Sequence, residues 1–280
     1  MLRQLIKHEF RATSRMVPFV YLITIVMALI NYLTLRLGIN WLFAVTMIFL
    51  VLLAVAEVIV TYVLVISRYY KNLYGSEGYL MHTLPVHSRN LLASKALVAF
   101  MWLVMSFAVL FGVVLVIFSA FAAENHQNLG QAINILIKSI GIWDIVSLPL
   151  AVTAIILYGL LSIIYLLAQV YFSITLGSSA RFHNLGIAGP IVTFLITYIG
   201  MQFLALFSIV FIPFGVHFVL GSAGQLIELK LVGEGMLGML LNPEKTSGVI
   251  GFGSIILMAA GTIGLFIATD RIMSKRTSLR

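Results

Sequence analysis

Few residues in this chain could do chemistry, and they are scattered. Glu57 stands in the run AVAEVIVTYV, an acid inside an apolar stretch. A carboxyl at bilayer depth is costly, so it reads in one of two ways. It is a functional group on a pathway, or it is a protonated or hydrogen-bonded carboxyl buried between helices. His217, four residues after Pro213, could line the same pathway or serve as a hydrogen-bonded interfacial histidine. Two isolated groups do not make a proton relay. An intramembrane enzyme would need clustered polar groups at one depth, and this pair is too thin for that.

The catalytic and cofactor motifs are missing. His8-Glu9 does not extend to HExxH, and no GxSxG or GxxxxGK[ST] occurs. The chain therefore carries no P-loop of its own. Gly233, Gly235 and Gly238 match GxGxxG, but neither a preceding strand nor a following long helix is expected there, so they read as turn or packing glycines. Cysteine is absent, which excludes disulfides and thiolate metal sites. No catalytic, cofactor-binding or metal-ligating residue is expected in this chain. Asn-x-Ser/Thr sequons are absent too.

The elements that must position these residues follow from composition. Of 280 residues, 61% are hydrophobic and only 9% charged, with a mean hydropathy of +1.11. A soluble domain runs near 25% charged. Lipid must therefore solvate most of the chain, which excludes a cytosolic enzyme, a secreted disulfide scaffold and a disordered protein. The expected fold is an all-α integral membrane protein with six transmembrane helices. The spans fall at about 16–35, 41–67, 96–122, 145–176, 185–212 and 249–269. The first apolar run is too long for the core of a signal peptide and lacks a cleavage site, so it reads as a retained span.

Charge sets the orientation. Arg36, Lys138, Lys230 and Lys245 lie on one side of such a six-span layout, and the remaining 13 of the 17 Lys and Arg lie on the other, with both termini. The positive-inside rule puts both termini in the cytoplasm. The net charge of +8 is thus an orientation signal facing anionic lipid, and nucleic acid is not an expected partner.

Four of the segments outside the spans carry further signals. Residues 1–15 repeat Arg3, Lys7, Arg11 and Arg15 at every fourth position, with Leu2, Leu5, Ile6 and Phe10 on another side. That is a basic amphipathic helix for the inner interface, serving as an anchor, a partner contact or both. Residues 68–95 form the longest cytoplasmic connection. Ser76 can cap a short helix there, Glu77 suits its N-terminus, and Pro85 stops it. Tyr79, Leu80 and Leu84 would be apolar groups in water, either a docking surface or packed on the protein's own helices. A short loop with Arg181 and Phe182 could form a second cytoplasmic contact. Residues 213–248, broken by Pro213, Gly215 and Gly221, read as an outer re-entrant or interfacial helical segment. In the last span Ala260, Gly264 and Ala268 have small-xxx-small spacing, suited to packing within the chain or to an oligomer interface.

The opening LIKHEFRATSR, the loop YYKNLYGSEGYLMHTLPVHSRNLLASK and the six-span layout together resemble permease subunits of bacterial ATP-binding-cassette exporters of the ABC-2 type. The loop carries the specific part. Tyr70, Lys71, Asn72, Leu73, Glu77, Gly78, Tyr79, Leu80, Thr83, Leu84 and Pro85 fit the YKNLFGDEGYLTFTLPV-type pattern of that family. The resemblance implies that residues 68–95 hold a coupling helix docked on a separate ATPase subunit, with Glu77, Gly78, Tyr79, Leu80 and Leu84 at the contact. It implies ATP and Mg in that partner only, a second permease chain as homodimer or heterodimer partner, and residence in a bacterial cytoplasmic membrane. The substrate class it allows is a peptide, a drug or a lipid-like molecule. A different class of function, a non-transporting scaffold or sensor in a resistance or sporulation complex, fits the same composition.

Overall fold

The computed structural model describes residues 2–75, 78, 86–124, 128–140, 147–179, 182, 185–186, 188–212, 215–220, 226–232 and 247–275. The helices are α1 (Leu2–Thr13), α2 (Val17–Arg36), α3 (Asn40–Tyr74), α4 (Ser88–Glu124), α5 (Leu129–Ile140), α6 (Leu148–Gly177), α7 (Ala188–Phe211) and α8 (Gly253–Lys275). Six of them, all but α1 and α5, are long and apolar enough to cross a membrane. This is a multi-pass membrane protein. Helices dominate because lipid offers backbone groups no partners, and a helix satisfies its own.

The punctuation is local. Pro18 and Pro149 sit in the first turns of α2 and α6, where a missing N–H costs nothing. Between α2 and α3 the chain reverses in three residues. Gly38 has φ +69°, its N–H bonds the Leu35 carbonyl, and the Ile39 N–H bonds the Thr34 carbonyl. This pair of bonds is a Schellman motif, and it needs the left-handed conformation that glycine adopts freely.

The chain divides into two compact units, residues 1–133 and 134–278. In the first, α1, α2, α3 and α4 pack together. The buried face of α3 runs Thr46, Leu50, Ala54, Glu57, Thr61, Val65, Tyr69 and Leu73, one residue per turn. Leu50, Ala54, Ala28 and Val113 form one apolar cluster, and Val17, Tyr21, Val98 and Trp102 another. In the second unit α6, α7 and α8 pack on one another. Gly177 and Gly189 let the backbones of α6 and α7 touch. A Cβ at Gly177 would meet Pro190 N at 2.4 Å, and one at Gly189 would meet the Gly177 carbonyl at 2.5 Å. The Thr193 hydroxyl closes this crossing by donating to the Ser173 carbonyl at 2.7 Å.

One expectation is corrected. The 213–248 segment is not helical where it is described. It contributes β1 (Gly215–Leu220) and β2 (Leu226–Val232), and Ser247–Gly251 adds β3, in an antiparallel sheet of order β2-β1-β3. The reason is the period of the sequence. Ile227, Leu229 and Leu231 alternate with Glu228 and Lys230, and such alternation fits a strand. The same correction reaches the Gly233 run, since β2 ends beside it where no strand is expected. The small-residue stripe of the last span also behaves differently from its packing reading. A Cβ at Gly264 would meet nothing within 4 Å, and Ala260 and Gly264 are exposed. The close approach in α8 is made by Gly261, beside Met201 and Tyr165.

Candidate functional site

The most developed polar site lies where α1 meets the ends of α3 and α4 in the first unit. Glu9 and Thr13 are four residues apart and share one face of α1. Arg3, Lys7 and Arg11 are exposed on the same helix, and Arg15 is exposed in the turn that follows. The Glu9 carboxylate takes Arg68 Nε on Oε1 at 2.6 Å and Lys95 Nζ on Oε2 at 3.2 Å. Arg68 belongs to the last turns of α3, and Lys95 to the first turns of α4. The Lys95 side chain is only 2% exposed, so this cation needs the acid beside it.

Trp102 completes the joint. On α4, Lys95, Val98 and Trp102 follow at spacings of three and four, one face of the helix. The Trp102 ring stacks on Phe10 and its Nε1 donates to the Thr13 hydroxyl at 2.7 Å. The Tyr21 hydroxyl in turn donates to the Trp102 carbonyl at 2.7 Å. One carboxylate and one indole thus tie α1, α2, α3 and α4 together. Arginine suits its place because a guanidinium holds its charge and its direction.

The connection between α3 and α4 is shorter than the expected 68–95 loop. Helix α3 continues to Tyr74, and α4 begins at Ser88. Asn72 and Leu73 of the family-like pattern are buried in the last turn of α3, while Lys71 is exposed. Gly75 ends the helix, its N–H bonding the Tyr70 and Lys71 carbonyls, and a Cβ there would meet the Lys71 carbonyl at 2.7 Å. Gly78 is buried and its N–H bonds the Gly75 carbonyl. Glu77, Tyr79, Leu80 and Leu84 lie outside the described residues, as do Arg181 and Gly233, Gly235 and Gly238. Phe182 is described and half-buried, with its Cβ beside the Gly177–Gly189 crossing.

Glu57 is deeper in the same unit. It is 1% exposed, on the protein face of α3 and not on the lipid face. Ser106 of α4 donates to Oε1 at 2.7 Å. Oε2 has no hydrogen-bond partner among the described residues, and neither has the Thr61 hydroxyl one turn away. His217 sits in β1, opposite Lys230 and Val249, and belongs to the second unit. Among the described residues, no group of three or more His, Cys, Asp or Glu could hold a metal ion.

A third polar cluster clasps α2 to α3 beyond Leu50. Asn31 Nδ2 donates to the Thr46 hydroxyl at 2.9 Å, which lies 3.3 Å from the Thr34 hydroxyl. Residue typing passed over this clasp, along with Thr13, Tyr21 and Trp102. For the clasp a signal existed, since Asn31, Thr34 and Thr46 are polar residues set in apolar runs on either side of the Gly38 turn.

No family model matches the chain, and no curated protein or solved structure matches it.

Proposed function

We propose that this chain is the permease subunit of an ATP-binding-cassette exporter of the ABC-2 type. In this reading it sits in a bacterial cytoplasmic membrane with both termini inside, as a multi-pass subunit. A separate ATPase subunit binds ATP and Mg and docks on residues 76–87. A second permease chain completes the pathway, and the cargo is a peptide, a drug or a lipid-like molecule.

The observation that carries this reading is the Glu9 joint. The helices on both sides of the 76–87 connection end on one carboxylate, together with α1. A partner that pushes on the connection therefore moves three elements as one piece, as a rigid-body transmission requires. In this reading the ATPase supplies the energy, and the joint would carry its movement to α1, α3 and α4.

The test is co-purification with a co-expressed P-loop ATPase subunit from the same source. Glu77→Arg and Leu80→Asp should abolish the complex while leaving the chain in the membrane at normal abundance. Full ATPase binding by both variants would sink the docking assignment. A stable complex that moves no substrate in proteoliposomes would favour the scaffold reading instead.

A further inference from the structure

Glu57 and Thr61 stand one turn apart on the buried face of α3, at 1% and 0% exposure. Each keeps a polar atom that no described residue satisfies, Oε2 of the carboxyl and the hydroxyl of the threonine. Ser106 serves only the other carboxyl oxygen. No cation answers this carboxyl along α3. The first is Arg68, three turns on, and Glu9 holds it.

Thr61 is the unusual member of the pair. A threonine inside a helix ordinarily donates to a carbonyl three or four residues back. Thr24, Thr34 and Thr46 of the same unit do so, at 3.3, 2.8 and 3.0 Å. Thr61 makes no such bond. Tyr21 of α2 lies beside it and within the field of the Glu57 carboxyl. Tyr21 gives its own proton to the Trp102 carbonyl at 2.7 Å, so it brings only lone pairs to this place.

We propose that Glu57 and Thr61, with Tyr21 beside them, bind one internal water molecule between α2, α3 and α4. Buried waters join otherwise unsatisfied polar groups in this way, with about three hydrogen bonds each. Water suits the place because it both donates and accepts. It can donate to a carboxylate Oε2 while taking the Thr61 proton. Turned round, it accepts from a neutral carboxyl and donates to a hydroxyl oxygen. The bridge therefore holds in either protonation state of Glu57. A hard metal ion suits it less, since such ions gather about six oxygens, and one carboxyl oxygen and two hydroxyls are on offer. The site is distinct from the ATPase contact and does not depend on the transport reading.

The direct test is the density of the native chain in nanodiscs, at a resolution that shows ordered water. One peak is expected within hydrogen-bond distance, about 2.5–3.0 Å, of both Glu57 Oε2 and Thr61 Oγ1. A direct bond from Glu57 to Thr61 or Tyr21, with no peak between them, would overturn the proposal. Unfolding in detergent gives a second reading. Thr61→Val keeps the shape and removes the hydroxyl. It should lower the unfolding midpoint of the native chain but not that of the Glu57→Leu chain, where the water has lost its main partner. Equal shifts in the two backgrounds would count against the bridge. A midpoint that falls when sodium is replaced by choline, and no longer does so after Thr61→Val, would assign the site to a cation instead. Should Glu57→Leu fail to fold, the density of the native chain decides alone.

Discussion

Phe10 and Trp102 lie face to face, with ring centroids 5.0 Å apart and planes 2° from parallel. The contact spans most of the sequence distance from α1 to the middle of α4. It places the first helix on the bundle by shape, while Glu9 places it by charge.

Removing the indole tests the first of these. Trp102 is 2% exposed and contacts Phe10, Thr13 and Tyr21. Trp102→Ala should cost about 3–5 kcal/mol, the usual range for a large buried aromatic. Trp102→Phe retains a stacking ring and loses the hydrogen bond to Thr13, for about 1 kcal/mol. Thermal unfolding in detergent should rank them in that order. A Trp102→Ala protein as stable as the Trp102→Phe protein would mean that the cluster does not hold α1.

Charge exchange tests the second. Glu9→Gln should destabilise the first unit by about 1–3 kcal/mol, the range for hydrogen bonds to charged groups, with Arg68 partly in solvent. Glu9→Lys should be worse, since it sets a third cation between Arg68 and Lys95. Adding Arg68→Glu to Glu9→Lys should restore part of the loss. Limited proteolysis between α1 and α2 reads the outcome, and equal cleavage of the single and double variants would count against a direct pairing.

For Glu57 the hydrogen bond matters more than the charge. Glu57→Gln retains an oxygen for Ser106 to donate to, so folding should change by less than about 1 kcal/mol. Ser106→Ala removes that donor and leaves a buried carboxyl unsatisfied, at about 1–3 kcal/mol. The same two variants separate structure from pathway. If substrate movement falls in Glu57→Gln while stability holds, the carboxyl acts on the pathway. Unchanged movement in both variants would confine it to structure.

Two glycines give a paired control. Gly177→Ala drives a methyl into the backbone of Gly189 and Pro190 and should cost about 1–3 kcal/mol. Gly264→Ala meets open space in mid-helix and should be neutral or stabilising by up to about 1 kcal/mol. Unfolding midpoints that move together in the two variants would contradict the described crossing of α6 and α7.

Much of the fold was legible because lipid simplifies the code. Long apolar runs with Pro18 and Pro149 at their starts can only be helices, and six were found where hydropathy put them. Their lengths were less legible. Arg68 and Lys95 looked like loop charges, yet both sit inside helices, because Glu9 neutralises them at the bundle. That pairing joins residues 59 and 86 positions apart, a distance no local pattern encodes. The strands are readable from the alternation in LIELKLV, but Pro213, Gly215 and Gly221 also fit a broken helix. Glu57 is legible as an acid inside a span, open to a pathway or a buried reading, while its donor Ser106 carries no signal, since a single serine in a span has many uses.

Helix α3 runs unbroken for 35 residues, so it is roughly 52 Å long against a hydrocarbon core of about 30 Å. Its two ends are held differently. Near one end Thr46 is clasped by Asn31 and Thr34, and near the other Arg68 is tied to Glu9. A rod fixed in this way cannot absorb a displacement by bending at a proline or glycine, because residues 40–74 contain neither. It pivots. About the Thr46 clasp, a tilt of about 5° swings the Tyr74 end through roughly 4 Å, and Glu57, about two-fifths of the way along, moves by roughly 1.4 Å. The same geometry works in reverse: a small shift in the packing around Glu57 is amplified at the far end of the lever.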